Sequence, residues 1–193
     1  NVTILLGDGA GSFRPGISSP LAVDAGAQPI VTGDFNRDGV PDLAIGNFVA
    51  FPNGGVTVLL GRGNGHFAPV SRFGVQWGAA ALAKADFNRD GRLDLAVGLV
   101  DTNKIPILLG DAESLFRFGT PAQVNFGEGS FFIATGDFNG DSNPDLVVTN
   151  GVADETHISV LLGDGTGGFS TPVKYSVGGT GAIPNWLVVA DFN

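Results

Sequence analysis

Asp34, Asn36, Asp38 and Asp42 put an oxygen-bearing side chain at positions 1, 3, 5 and 9 of the segment DFNRDGVPD. The pattern returns in DFNRDGRLD, with Asp86, Asn88, Asp90 and Asp94, and in DFNGDSNPD, with Asp137, Asn139, Asp141 and Asp145; Asp191 and Asn193 open a fourth copy. A short loop rich in carboxylates and amides offers the hard oxygen donors that calcium takes, six to eight at about 2.3–2.6 Å. In each complete copy positions 1, 3, 5 and 9 are assigned as side-chain ligands. Position 7 (Val40, Arg92, Asn143) is assigned as a backbone carbonyl, which leaves room for water. Glycine stands at position 6 in two copies, and Ser142 replaces it in the third.

Two other readings compete with this one. An EF-hand loop needs a bidentate Glu at position 12 and an exiting helix, but position 12 is Ile45, Val97 or Val148, inside the apolar runs DLAIG, DLAVG and DLVVT. Those runs are short, branched and bounded by Gly or Asn, so the loop leads into a strand. An Asx-rich hairpin turn without metal uses the same residue types. Turn chemistry alone does not ask for a carboxylate at position 9, so three complete copies favour calcium.

The elements that position these loops follow a second repeat. VTILLGDGAGSF at Val2, VTVLLGRGNGHF at Val56, IPILLGDAESLF at Ile105 and ISVLLGDGTGGF at Ile158 keep step with loops starting at 34, 86, 137 and 191. A period near fifty, filled with short strands and glycine turns, is the signature of a propeller blade. The second unit reads as strand A (PIVTGDF), the metal loop, strand B (DLAIGN), strand C (GVTVLLG) and strand D (HFAPVSRFGV). The expected class is all-β: one β-propeller over residues 1–193, with whole blades near 25–77, 78–128 and 129–180 and partial ones near 1–24 and 181–193. The GDGAGSF and GDGTGGF glycines lead into a strand rather than a helix, which argues for tight C-to-D hairpins against phosphate loops. Phe13, Phe67, Phe116 and Phe169, the Phe at position 2 of each metal loop, and Trp186 are expected in the core.

The net charge of −9 concerns the metal more than a cationic partner, because ten of the nineteen acidic residues fall in the loops. Ten scattered Lys and Arg residues form no basic run, so nucleic acid is not an expected partner. No apolar stretch approaches a membrane span. With no cysteine there is no disulfide, thiolate site or thiol nucleophile. Weak all-oxygen sites fill where calcium is abundant, which points to a secreted or cell-surface protein.

The units DFNRDGVPDLAIG, DFNRDGRLDLAVG and DFNGDSNPDLVVT, each followed by a VLLG-type strand, resemble the FG-GAP or VCBS repeat family, the calcium-loop blades of integrin α-subunit propellers. The resemblance covers almost the whole chain and implies a ring usually of seven blades, roughly 360 residues at this period. The remaining blades are then expected from further chain or from a second copy. It also implies that a ligand platform lies on the face opposite the calcium loops, built from the B-to-C and D-to-A connections. There Trp77, Phe48 and Phe51, near Gln76, Asn53 and Asp101, are candidates to stack on a sugar and hydrogen-bond its hydroxyls.

The expected function is a non-catalytic, adhesive or lectin-like module that binds a glycan or a surface protein. One alternative is the propeller of a polysaccharide-degrading enzyme, a lyase or hydrolase with its site in the missing part; within this chain, Asp101, Glu128 and Asp154 could converge on one face as acids. Another is a purely structural surface-assembly module. His66 and His157 lie on different units without a catalytic motif.

Overall fold

The computed structural model describes residues 1–16, 19–23, 25–49, 54–75, 78–99, 102–119, 122–123, 130–150, 157–178 and 186–191. Sixteen strands and no helix occur among them. The first complete sheet pairs β3 (Ala27–Gly33), β4 (Asp42–Asn47), β5 (Gly55–Gly61) and β6 (Phe67–Gly74) in that order, all antiparallel. These strands match the A, B, C and D segments read from the sequence to within about two residues. Branched and aromatic residues favour the pleated surface, and Gly and Asx clusters end each run.

The same order recurs in β7 (Ala79–Ala85), β8 (Asp94–Leu99), β10 (Ile107–Asp111) and β11 (Leu115–Phe118), and again in β13 (Ser130–Gly136), β14 (Asp145–Asn150), β15 (His157–Leu161) and β16 (Val173–Ser176). In the second of these sheets strand C is split at Pro106, which has no N–H to give the ladder. Its first part, β9 (Lys104–Ile105), pairs instead with β12 (Ala122–Gln123). A two-stranded sheet of β1 (Leu5–Gly7) and β2 (Phe13–Pro15) precedes them. The strand expected after Pro184 is not seen over residues 186–191: that segment joins no ladder.

The core is a series of layers between successive sheets. Leu43, Ile45 and Leu59 pack against Val2, Ile4 and Leu21. On the other side of the same sheet, Ala44, Val56 and Val58 meet Leu82, Leu95, Val97 and Leu108. One sheet further, Ala96, Ile105, Ile107 and Leu109 meet Ile133, Leu146, Val148 and Leu161. Each complete sheet therefore has two apolar faces, one toward the preceding unit and one toward the next, which is why its B and C strands read as continuous apolar runs. The first strands also touch along their length. Lys84 Nζ donates to the carbonyl of Thr32, and Thr135 Oγ1 donates to the carbonyl of Lys84 at 3.4 Å.

Three aromatic expectations need correction. Phe35, Phe87 and Phe116 are buried, but Phe13, Phe138 and Trp186 are exposed. All three lie in the outer units, where no further sheet covers them among the described residues. Trp186, 74% exposed, rests on Phe132 with ring centroids 4.8 Å apart.

Candidate functional site

Each metal-loop candidate joins the first strand of a sheet to the second, so the three loops emerge at one end of the sheets. Their backbone turns twice through the left-handed region. Position 4 does so at Arg37 (φ 64°), Arg89 (φ 59°) and Gly140 (φ 77°), and position 6 at Gly39 (φ 81°), Gly91 (φ 82°) and Ser142 (φ 68°). Every loop thus holds one glycine and one strained L-residue. The third simply exchanges their places, so the loss of glycine at Ser142 leaves the turn intact.

The carboxylate of position 1 closes the turn. Asp34 accepts from the N–H groups of Asp38 (3.0 Å) and Gly39 (2.8 Å), and Asp86 from Asp90 (3.0 Å) and Gly91 (2.8 Å). Asp137 accepts from Asp141 (3.1 Å) and Ser142 (2.9 Å). At position 3, Asn36 Oδ1 shares the Asp38 N–H at 3.0 Å, while its amide donates to Asp38 Oδ2 at 2.9 Å. At position 5, Asp38, Asp90 and Asp141 accept from the N–H of position 7, Val40, Arg92 and Asn143, at 2.8–2.9 Å. The side-chain amide of Asn36 and the Val40 N–H hold the Asp38 carboxyl below its usual range. Asp141 is lowered by the Asn143 N–H and the Asn139 amide, with help from the Arg89 charge.

Position 9 behaves differently. Asp42, Asp94 and Asp145 are fully buried. Each carboxylate bridges the start of its loop to the end of the third strand: Asp42 accepts from Phe35 and Gly61 (both 2.9 Å), Asp94 from Phe87 and Gly110 (both 2.7 Å), and Asp145 from Phe138 (2.7 Å) and Gly163 (2.8 Å). Burial pushes the Asp94 carboxyl up to about 6, against the pull of the Gly110 and Phe87 N–H groups and with the added repulsion of Asp90 and Asp86. Burial likewise raises Asp42. This bridge gives the ninth carboxylate a task that needs no cation, so its presence is a weaker sign of metal than the sequence suggested. The glycine that ends each LLG run offers no ligand-type side chain, yet its N–H is the far end of the bridge. A Cβ there would run into the carbonyl of Pro41 at Gly61, of Leu93 at Gly110 and of Pro144 at Gly163.

The donor set fits calcium in its chemistry, since every side-chain ligand assigned is a hard oxygen. Among the described residues no three carboxylate or imidazole groups converge on one point. The loop carboxylates instead face backbone N–H donors. Asp191 is exposed, and Asn193 lies outside the described residues.

The C-to-D hairpins lie at the same end as the loops. Asp8, Asp111 and Asp164 occupy one repeat position and cap their turns: Asp8 accepts from Ala10 (2.8 Å) and Ser12 (3.0 Å), Asp111 from Glu113 (3.0 Å) and Ser114 (2.9 Å), and Asp164 from Thr166 (2.7 Å) and Gly168 (3.0 Å). They are hairpin caps, as the strand-to-strand reading expects.

The opposite end carries a cavity of about 620 Å³. Its walls are the beginnings of three successive first strands, Gln28–Ile30, Ala80–Leu82 and Phe132–Ile133, together with Phe48, Trp186 and Leu187. Of the ligand residues proposed from sequence, Phe48 is placed here, exposed on the rim. Trp186, assigned to the core, stands beside the same opening; an apolar run gives no sign that its tryptophan lacks a covering sheet. Phe51, Asn53, Gln76, Trp77 and Asp101 lie outside the described residues, as do Glu128 and Asp154.

Comparison with known proteins agrees with this architecture. The FG-GAP-like repeat matches residues 47–97 and 86–148, and the FG-GAP repeat matches residues 131–171. Human integrin alpha-7 is 29% identical over 167 residues, covering 76% of this chain and 14% of the integrin. A solved Agrocybe aegerita lectin, described for specific recognition of non-reducing terminal N-acetylglucosamine, superposes with a TM-score of 0.58 at 16% identity. That match covers 89% of this chain and 46% of the lectin, so the chain spans less than half of either protein. The repeated loop-and-strand unit, its sheet order and the family match over most of residues 47–171 lead to one assignment: the chain belongs to the FG-GAP repeat family.

Proposed function

We propose that this chain is part of a calcium-stabilised, extracellular β-propeller that binds a glycan or a surface protein without catalysis. The observation that carries the binding role is the cavity at the end of the sheets opposite the metal loops, with Trp186 and Phe48 exposed at its opening. An exposed aromatic beside a concave wall is suited to stack on the apolar face of a pyranose, and Gln28 offers a hydroxyl partner. The lectin with a similar fold supports the glycan as the first ligand to test, and the integrin relative supports a surface setting. Calcium at the three loops is supported by the side-chain oxygens of positions 1, 3 and 5, and the carbonyl of position 7 would complete the set. When bound, it would offset most of the charge of the three aspartates in each loop and hold the hairpin between the first two strands. The ring of about seven blades, within which this chain would supply consecutive members, belongs to the same proposal.

The test is a glycan array probed with the calcium-loaded protein, with Trp186→Ala and Phe48→Ala as companions. Binding that falls at least tenfold in the Trp186→Ala protein is expected. An array with no bound glycan, or binding indifferent to both substitutions, would remove the glycan ligand from this site.

A further inference from the structure

Position 4 of the metal loop is left-handed in all three copies, and glycine serves it without strain, as Gly140 does. The first two loops nevertheless carry Arg37 and Arg89 there. Arg89 extends out of its own loop toward the next one, where its Nη1 donates to Asn143 Oδ1, at position 7 of the third loop, at 3.4 Å. Its stem lies along Gly165, in the C-to-D hairpin of the sheet that carries the third loop: a Cβ on Gly165 would stand 3.2 Å from Arg89 Cδ. That hairpin is itself tied to the second loop, because the Gly167 N–H donates to the Phe87 carbonyl at 3.0 Å. The Asn143 N–H and the Asn139 amide hold the Asp141 carboxyl low, and the Arg89 charge adds to them. The first pair of loops differs. Arg37 runs the same way, with Nη1 3.8 Å from the place a Cβ on Gly91 would take, but position 7 of the second loop is Arg92, and Ala112 stands at the hairpin position of Gly165.

From this geometry we infer that Arg89 sets the calcium affinity of the third loop: it is a built-in cation, supplied by the second loop, that stands beside Asp141 and Asn143 and competes with a divalent ion for their oxygens. The inference rests on the calcium reading of the loops proposed above. Arginine keeps its charge at any working pH. A guanidinium beside the loop repels an incoming divalent ion, while water and salt keep the effect modest at an exposed position. Both loops belong to complete sheets of this chain, so the contact does not depend on what lies beyond its ends. The three loops are thereby made unequal, although their ligand residues repeat: the third carries a competing charge on the amide of its seventh residue, and the second does not.

Calcium titration followed by amide NMR reads the loops one by one, with the Asp141 and Ser142 N–H groups reporting the third loop and those of Asp38 and Gly39 the first. Arg89→Gln removes the charge and keeps the stem. In that protein the third-loop midpoint is expected to fall to about a third to a tenth of the wild-type calcium concentration, while the first-loop midpoint stays within about twofold. Arg89→Lys keeps the charge and is expected to stay within about twofold of the wild type at both loops. A third-loop midpoint unchanged in Arg89→Gln, one that shifts equally in both loops, or one that tightens as much in Arg89→Lys would overturn the proposal. A midpoint that rises in Arg89→Gln would overturn it in favour of a bridge that orients position 7 toward the ion. Calcium that moves no loop amide of the wild type would overturn the calcium reading and this inference with it, a result distinct from the others because it needs no variant.

Discussion

Asp94 shows how one residue type serves the loop in two ways. Aspartates at positions 1 and 5 hold the exposed turn, whereas the ninth is buried and ties the loop to Gly110 on the third strand. Removing it leaves two buried N–H donors without partners, so Asp94→Ala is expected to cost about 2–4 kcal/mol, read by urea denaturation. Asp94→Asn should restore little of this, because its NH2 would face one of the two donors. The hairpin aspartates give a pH prediction of opposite location. Asp111 is lowered from 3.8, chiefly by the Ser114 N–H and hydroxyl, and Asp164 by the Thr166 N–H and hydroxyl. Their contribution is therefore present in full above the unfolded value and is lost as pH falls through the lower folded one. Amide shifts of Ser114 and Thr166, followed by NMR on acidification, should give titration midpoints below 3.8. Midpoints at or above that value would contradict the capping role. The residue types of positions 1, 3, 5 and 9 were legible in the sequence. The division of labour among them was not, because it depends on which carboxylate the third strand covers.

At the scale of elements, the strands could be read directly. Alternation, branched runs and Gly or Asn boundaries placed β3 to β6 within about two residues, since local propensity and tertiary packing agree there. The break at Pro106 and the pairing of β9 with β12 were not foreseen, although the missing N–H of proline was on view. The LLG glycine was visible as a repeat but silent as to cause. Its reason is spatial: the strand end must approach the loop carbonyl closely enough for its N–H to reach the ninth carboxylate. Gly110→Ala would bring a Cβ to 2.8 Å from the Leu93 carbonyl oxygen, and is expected to cost roughly 1–3 kcal/mol as an overpacked contact. The same substitution at Gly74, where a Cβ meets nothing within 4 Å, is the control expected to change stability far less.

At the scale of the whole molecule, the period near fifty predicted sheets in series, and the layers between them follow from the two apolar faces of each sheet. The exposure of Trp186, Phe138 and Phe13 did not follow, because an apolar residue in a repeat reads the same whether or not a neighbouring sheet covers it. Calcium is the claim on which the account depends most. With loop affinities in the range of about 10⁻⁴–10⁻³ M typical of extracellular modules, 10 mM calcium adds about 1.4–2.7 kcal/mol per site by mass action. Three such sites in a domain of this size correspond to roughly 8–32 °C in Tm. The direct measurement is the thermal melt of the wild-type chain after stringent chelation, and again after calcium is returned. A Tm that falls on chelation by that order and recovers with calcium, but not with an equal ionic strength of sodium, is the predicted result; a melt that is the same in chelator and in calcium would contradict it.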